Sequence, residues 1–107
     1  MFIKGITNMI NKKTNGDIPA DLLAVRKQIN DVDKQIITLL AERSELSRKA
    51  CVVKKKNNID IVDVDRETKA SEMRDGIARN KRIDPTFVRD VFSVIVLNSR
   101  RLQHEMK

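Results

Sequence analysis

Residues 21–57, DLLAVRKQINDVDKQIITLLAERSELSRKACVVKKKN, contain neither proline nor glycine. Within them Leu22, Val25, Ile29, Val32, Ile36, Leu39, Leu40, Leu46, Ala50 and Val53 recur at three- and four-residue spacing, the period of one face of an α-helix. Ile18-Pro19-Ala20-Asp21 supplies a start, because proline is tolerated in a first turn and aspartate suits the positive end of the helix dipole. The stretch therefore predicts one unbroken helix from Asp21 to about Asn57. At ~1.5 Å per residue, ~37 residues make a rod of ~55 Å, whereas a compact chain of this length has a radius of gyration of ~13 Å. One copy of the chain cannot cover such a rod.

Downstream the pattern is simple. Asn57-Asn58-Ile59-Asp60 is turn-like, and Asp63 or Asp65 is a good N-cap for a second helix running to about Asn80, slightly weakened by Gly76. Asp84-Pro85 restarts the chain as N-cap and first helical residue, and Phe87, Val88, Val91, Phe92, Ile95 and Leu102 give the third helix a buried stripe. The fold class expected is all-α with three helices per chain. Residues 18–107 form the helical domain, and residues 1–17, with Gly5 and Gly16 and no apolar period, read as a mobile tail without assigned function.

Composition narrows the classes. Forty per cent of the 107 residues are hydrophobic, with no Trp, no Tyr and three Phe, which suits an aliphatic helical core. Cys51 is the only cysteine, so no intrachain disulfide can form, and no group of Cys and His offers a metal site. A reducing cytoplasm fits that usage. No apolar run approaches the ~20 residues of a membrane span. Met1 to Lys13 lacks the continuous apolar core and cleavage site of a signal peptide, so a soluble, cytoplasmic protein is expected.

The formal net charge is +7. Lys54-Lys55-Lys56 and Lys81-Arg82 read either as solvated helix ends, where cations complement the dipole, or as an attraction for anions. Nucleic acid is not favoured as that anion. The basic clusters have no aromatic stacking residues beside them, and no helix-turn-helix or zinc pattern is present. A small polyanionic substrate explains the balance as well.

Two oddities interrupt the apolar faces. Arg43 and Lys54 share one face of the long helix, eleven residues or roughly 16 Å apart, and long side chains leaning toward each other can close on one small anion. Ser99 and Gln103 lie one turn apart and continue the face of Phe92 and Ile95, so the third helix's stripe turns polar as it would in lining a pocket. Taken alone, Ser99 and Gln103 also fit a solvated helix end. Asp63 and Glu67 likewise fit N-terminal helix carboxylates, with Arg66 as a surface partner. Cys51 reads as a small core residue and His104 as part of the helix end, neither with catalytic chemistry.

The set Leu22-Leu23-Ala24-Val25-Arg26, Ile29, Asp33, Leu39-Leu40-Ala41-Glu42-Arg43, Lys54, Asp63-Val64-Asp65-Arg66-Glu67, Ser99 and Gln103, in this order and spacing, resembles the all-helical, type II chorismate mutases of the AroQ class. The resemblance covers about residues 20 to 105. It implies an intertwined homodimer with two active sites, each taking a residue from the partner's first helix. Arg26 precedes Arg43 by seventeen residues, ~25 Å of helix, too far for both to clasp one small molecule from the same rod; the resemblance assigns it to the partner subunit's site.

The implied reaction is the [3,3]-sigmatropic rearrangement of chorismate to prephenate, a step of aromatic amino acid biosynthesis, with no cofactor and no metal. Lys54 and Gln103 are the implied catalytic donors toward the ether oxygen. Arg26, Arg43, Asp63, Arg66, Glu67 and Ser99 are the implied substrate-binding residues. The same scaffold and grips serve an isochorismate pyruvate-lyase or a mutase for 4-amino-4-deoxychorismate, and both stay open. From another class, a basic helical dimer that binds an acidic partner or nucleic acid also stays open.

Overall fold

A computed structural model describes residues 17–106 and contains three α-helices: α1 (Ala20–Lys56), α2 (Val64–Asn80) and α3 (Pro85–Glu105). The expected all-α class holds, with no strand among the described residues. The tail expected over residues 1–17 lies, except for Asp17, outside the described residues. No helix among the described residues is long and apolar enough to cross a membrane.

Each helix end has a local cause. At the start of α1, Leu23 N donates to Pro19 O (3.1 Å) and Asp21 occupies the first turn. Its last turn carries three lysines, Lys54 to Lys56, whose charge complements the negative end of the helix dipole. The chain then turns through Asn58, at a left-handed φ of 55°, while Ile59 N returns to Lys54 O (2.9 Å). Asp63, the first of the two caps considered, starts α2: its carboxylate accepts from Arg66 N at 3.1 Å. Arg82 closes that helix with a φ of 59° and Ile83 N bonded to Ala78 O (2.9 Å). Asp84 accepts from Thr86 N (2.9 Å), with Pro85 opening α3.

Packing divides the chain into one unit up to Thr38 and another from Leu39 onward, with α1 contributing to both. In the downstream unit α2 packs on α3. Ala70 and Ala78 are buried on α2, small enough to let a neighbouring backbone come close. Arg89 on α3 clamps Asp75 on α2 with both oxygens engaged, at 2.8–3.2 Å. In the upstream unit Leu22, Val25, Ile29, Val32 and Ile36 are between 41% and 53% exposed.

The apolar faces are thus less covered than a closed aliphatic core requires. Among the described residues, the buried ones are Cys51, Ala70, Ala78 and Gln103. The stripe expected to be buried on α3 is also open in part: Val88, Phe92, Ile95 and Leu102 are half-buried, but Phe87 is 60% exposed and Val91 is exposed. Periodicity identifies the face that seeks burial; it does not say whether one copy of the chain supplies the cover.

Candidate active site

The downstream unit gathers four of the polar residues singled out above. Arg43, Ser47, Cys51 and Lys54 fall at three- and four-residue steps along α1, one face of that helix, and meet Ser99 and Gln103, one turn apart on α3. Arg43 Nη1 donates to Ser99 Oγ, which also accepts from Ser47 Oγ (3.0 Å) and donates to Ile95 O (3.2 Å). The serine hydroxyl is therefore held from three sides.

One turn on, Gln103 is only 6% exposed, and its amide is oriented by two bonds. Nε2 donates to Ser47 O (3.0 Å), and Oε1 accepts from Lys54 Nζ (3.3 Å). Cys51 Sγ donates to Gln103 O (3.4 Å) and is fully buried, as expected of a small core residue. Lys54 Nζ donates in addition to Ile61 O, and Lys55 Nζ to Met106 O. The ammonium has three N–H donors and the amide two, so Lys54 and Gln103 each keep one N–H beyond these bonds. Among the described residues, no buried side-chain nitrogen or oxygen lacks a partner.

α2 adds charge. Burial pushes the pKa of the Arg43 guanidinium down most, and the positive charge of Arg74 pushes the same way; Glu67 opposes them, and Arg66 adds a weaker downward push. Glu67 lies 3.9 Å from Arg74 Nη2. Asp63 is exposed and acts through its carboxylate as the α2 cap, and Arg66 is exposed. Arg26 is exposed on α1 in the upstream unit.

The grooves of the chain divide these residues. One of about 260 Å³ is lined by Arg43 and Ser99 with Leu40, Ser44, Ile95 and Asn98. A second, about 500 Å³, has Lys54 with Cys51, Ile61 and His104. A third, about 740 Å³, contains Glu67 and Arg74 but neither Arg43 nor Lys54. Its size alone does not mark it as the reaction site, since Arg43, Ser99 and Lys54 line the other two.

Sequence reasoning missed Ser47 and Arg74. Ser47 carried a readable signal, being one turn from Arg43 on the same face. Arg74 carried none, because its importance depends on the ring of Phe92, 4.6 Å from its guanidinium carbon, which only packing brings there. Among the described residues no group of three or more His, Cys, Asp or Glu could hold a metal ion.

Fold and site together define an all-helical domain whose polar face gathers an arginine, a lysine, two serine hydroxyls and a carboxamide. The chain belongs to the chorismate mutase type II family, which residues 25–104 match. A chorismate mutase of Methanocaldococcus jannaschii is 25% identical over 84 residues, which take in 78% of this chain and 85% of that protein. A bifunctional chorismate mutase/prephenate dehydratase of Buchnera aphidicola subsp. Schizaphis graminum is 31% identical over 86 residues, 80% of this chain and 22% of that protein. The corresponding bifunctional protein of Enterobacter agglomerans is 33% identical over 85 residues, 79% of this chain and 21% of its own length. The chain spans about a fifth of the length of these bifunctional relatives.

Proposed function

We propose that the chain is a chorismate mutase that converts chorismate to prephenate as a homodimer in the cytoplasm. The observation that carries this reading is the Lys54–Gln103–Ser47 network beside the Arg43–Ser99 pair, in a chain of the type II family. The reaction breaks one C–O bond as one C–C bond forms, so it calls on no nucleophile and no proton shuttle. Two tasks remain for the protein.

The first is conformational. Chorismate carries two carboxylates, and gripping both holds the enolpyruvyl ether folded over the ring, close to the geometry of reaction. Arg43 is one grip, with the planar fork that suits a carboxylate, and Ser99 assists it. Arg26 of the partner subunit is the other. The exposed stripe Leu22, Val25, Ile29, Val32 and Ile36 supports the dimer, because an amphipathic helix of this length gains stability mainly from the face it covers.

The second task is charge. Negative charge gathers on the ether oxygen as its bond lengthens, and donors held ready there bind the transition state more tightly than the substrate. Lys54 and Gln103 each have an N–H to give, and their mutual bond supports a fixed aim. Glu67 accepts the ring hydroxyl's hydrogen bond, with Asp63 and Arg66 shaping that end of the pocket.

Chorismate consumption by the purified protein, followed by absorbance with the product identified by chromatography, tests the reading. Prephenate formation supports it. Pyruvate release from isochorismate run in parallel, without turnover of chorismate, moves the assignment to the lyase. Turnover confined to 4-amino-4-deoxychorismate moves it to the amino mutase, and inertness toward all three leaves a basic helical binding protein.

A further inference from the structure

We propose that the Ser47 side chain is a positioning residue of the carboxylate grip, directing the Ser99 hydroxyl as a donor toward the carboxylate that Arg43 holds; the inference rests on the chorismate reading above. Three bonds converge on Ser99 Oγ, and their chemistry leaves one assignment of the hydrogens. Arg43 can only donate and Ile95 O can only accept, while each serine hydroxyl has one hydrogen. The hydrogen of Ser99 therefore goes to Ile95 O at 3.2 Å, and that of Ser47 goes to Ser99 Oγ at 3.0 Å. Both lone pairs of Ser99 are then occupied, one by Arg43 and one by Ser47.

When Arg43 turns its N–H to a substrate carboxylate, the lone-pair direction it occupied on Ser99 empties on the side of that carboxylate. The Ser99 hydrogen moves into it, because Ser47 holds the remaining direction. Leaving Ile95 O costs little: that carbonyl lies inside α3, where the main-chain N–H of Ser99, four residues on, already bonds it. Without the Ser47 hydroxyl the hydrogen has a third direction, away from the grip, and water can compete for the vacated lone pair. The main chain of Ser47 has a separate duty, since its carbonyl accepts from Gln103 Nε2 at 3.0 Å. Replacing the side chain removes the first duty and spares the second. The two fall on different kinetic constants. A substrate carboxylate keeps its charge through the rearrangement, so a contact to it is made equally in ground state and transition state and is read in KM. The charge gathering on the ether oxygen is answered by Lys54 and Gln103, whose disturbance is read in kcat.

Steady-state kinetics of the full chain on chorismate should show Ser47→Ala raising KM about fivefold with kcat within about twofold of wild type. Alanine has the highest helix propensity, so the substitution keeps α1. Ser47→Cys retains the shape of serine but offers only a weak S–H donor, and should behave as Ser47→Ala does. Because Ser47 acts through Ser99, Ser47→Ala added to Ser99→Ala should change KM little beyond Ser99→Ala alone. A wild-type KM in Ser47→Ala, full recovery in Ser47→Cys, a loss confined to kcat or shared equally with it, or effects that multiply independently in the double variant would overturn the inference. If Ser47→Ala is unfolded at the assay temperature by circular dichroism, Ser47→Cys takes its place in the same comparison. A wild-type chain inert toward chorismate overturns the inference together with the reading it rests on, whereas an active wild type with any of those results overturns the inference alone.

Discussion

Lys54 and Gln103, forty-nine residues apart in sequence, meet through a 3.3 Å hydrogen bond from the lysine ammonium to the glutamine amide oxygen. Each is thereby oriented by the other while retaining an N–H to give. Lys54→Ala should lower kcat by on the order of 10²- to 10³-fold, the usual cost of losing one preorganised donor. Its far-UV circular dichroism should match that of wild type. Near-normal turnover in the chorismate absorbance assay would remove Lys54 from the mechanism.

Gln103 carries a structural duty as well. Gln103→Leu removes both the bond to Ser47 O and the acceptor for Lys54, at a side chain that is 6% exposed. Urea denaturation should register a loss of about 1–3 kcal/mol, alongside slower turnover. Unchanged stability would mean that water replaces these bonds without cost.

The helix ends and the polar face differ in how far the residues announce them. Asp63 and Asp84-Pro85 are caps by their own chemistry, and they cap α2 and α3 where the sequence suggests. Arg43, Lys54, Ser99 and Gln103 are legible because each breaks an apolar period, and the downstream unit brings them together. Ser47 is less legible, since a serine within a helix ordinarily points to solvent or back to its own backbone. Arg74 is not legible at all: Phe92, on another helix, gives it a place. Phe87 and Val91 show the opposite limit, where a correct apolar period does not yield burial within one copy of the chain.

Acid should weaken the α2–α3 contact in a defined direction. The hydrogen bonds from Arg89 hold the Asp75 carboxyl below its ordinary value of 3.8, with a smaller opposing effect of burial. A carboxyl depressed in the folded state contributes its full stabilisation above the ordinary value, and the contribution is lost as pH falls through the folded value. The melting temperature of wild type should therefore drop as pH is lowered from 3.8, and Arg89→Met should flatten that part of the drop. Parallel curves for the two proteins would show that the clamp contributes nothing to acid sensitivity.

The turn after α2 offers a gain. Arg82 adopts a φ of 59°, a region that costs an L-residue roughly 1–2 kcal/mol and glycine little. After the greater backbone entropy of glycine in the unfolded chain is offset, Arg82→Gly should still stabilise by several tenths of a kcal/mol, and Arg82→Val should destabilise. Denaturant midpoints moving in the same direction for both would contradict this account of the turn.

If the α1 stripe is covered by a second copy, catalysis and folding share one dependence on protein concentration. Dilution would then inactivate the enzyme and melt its long helix together. A chain damaged at Arg26 and one damaged at Lys54, each inert alone, would restore turnover when mixed and refolded, since each mixed pair holds one complete site. Inheritance of activity would belong to the pair of chains, and a copy defective at Arg26 would impair the site centred on its intact partner.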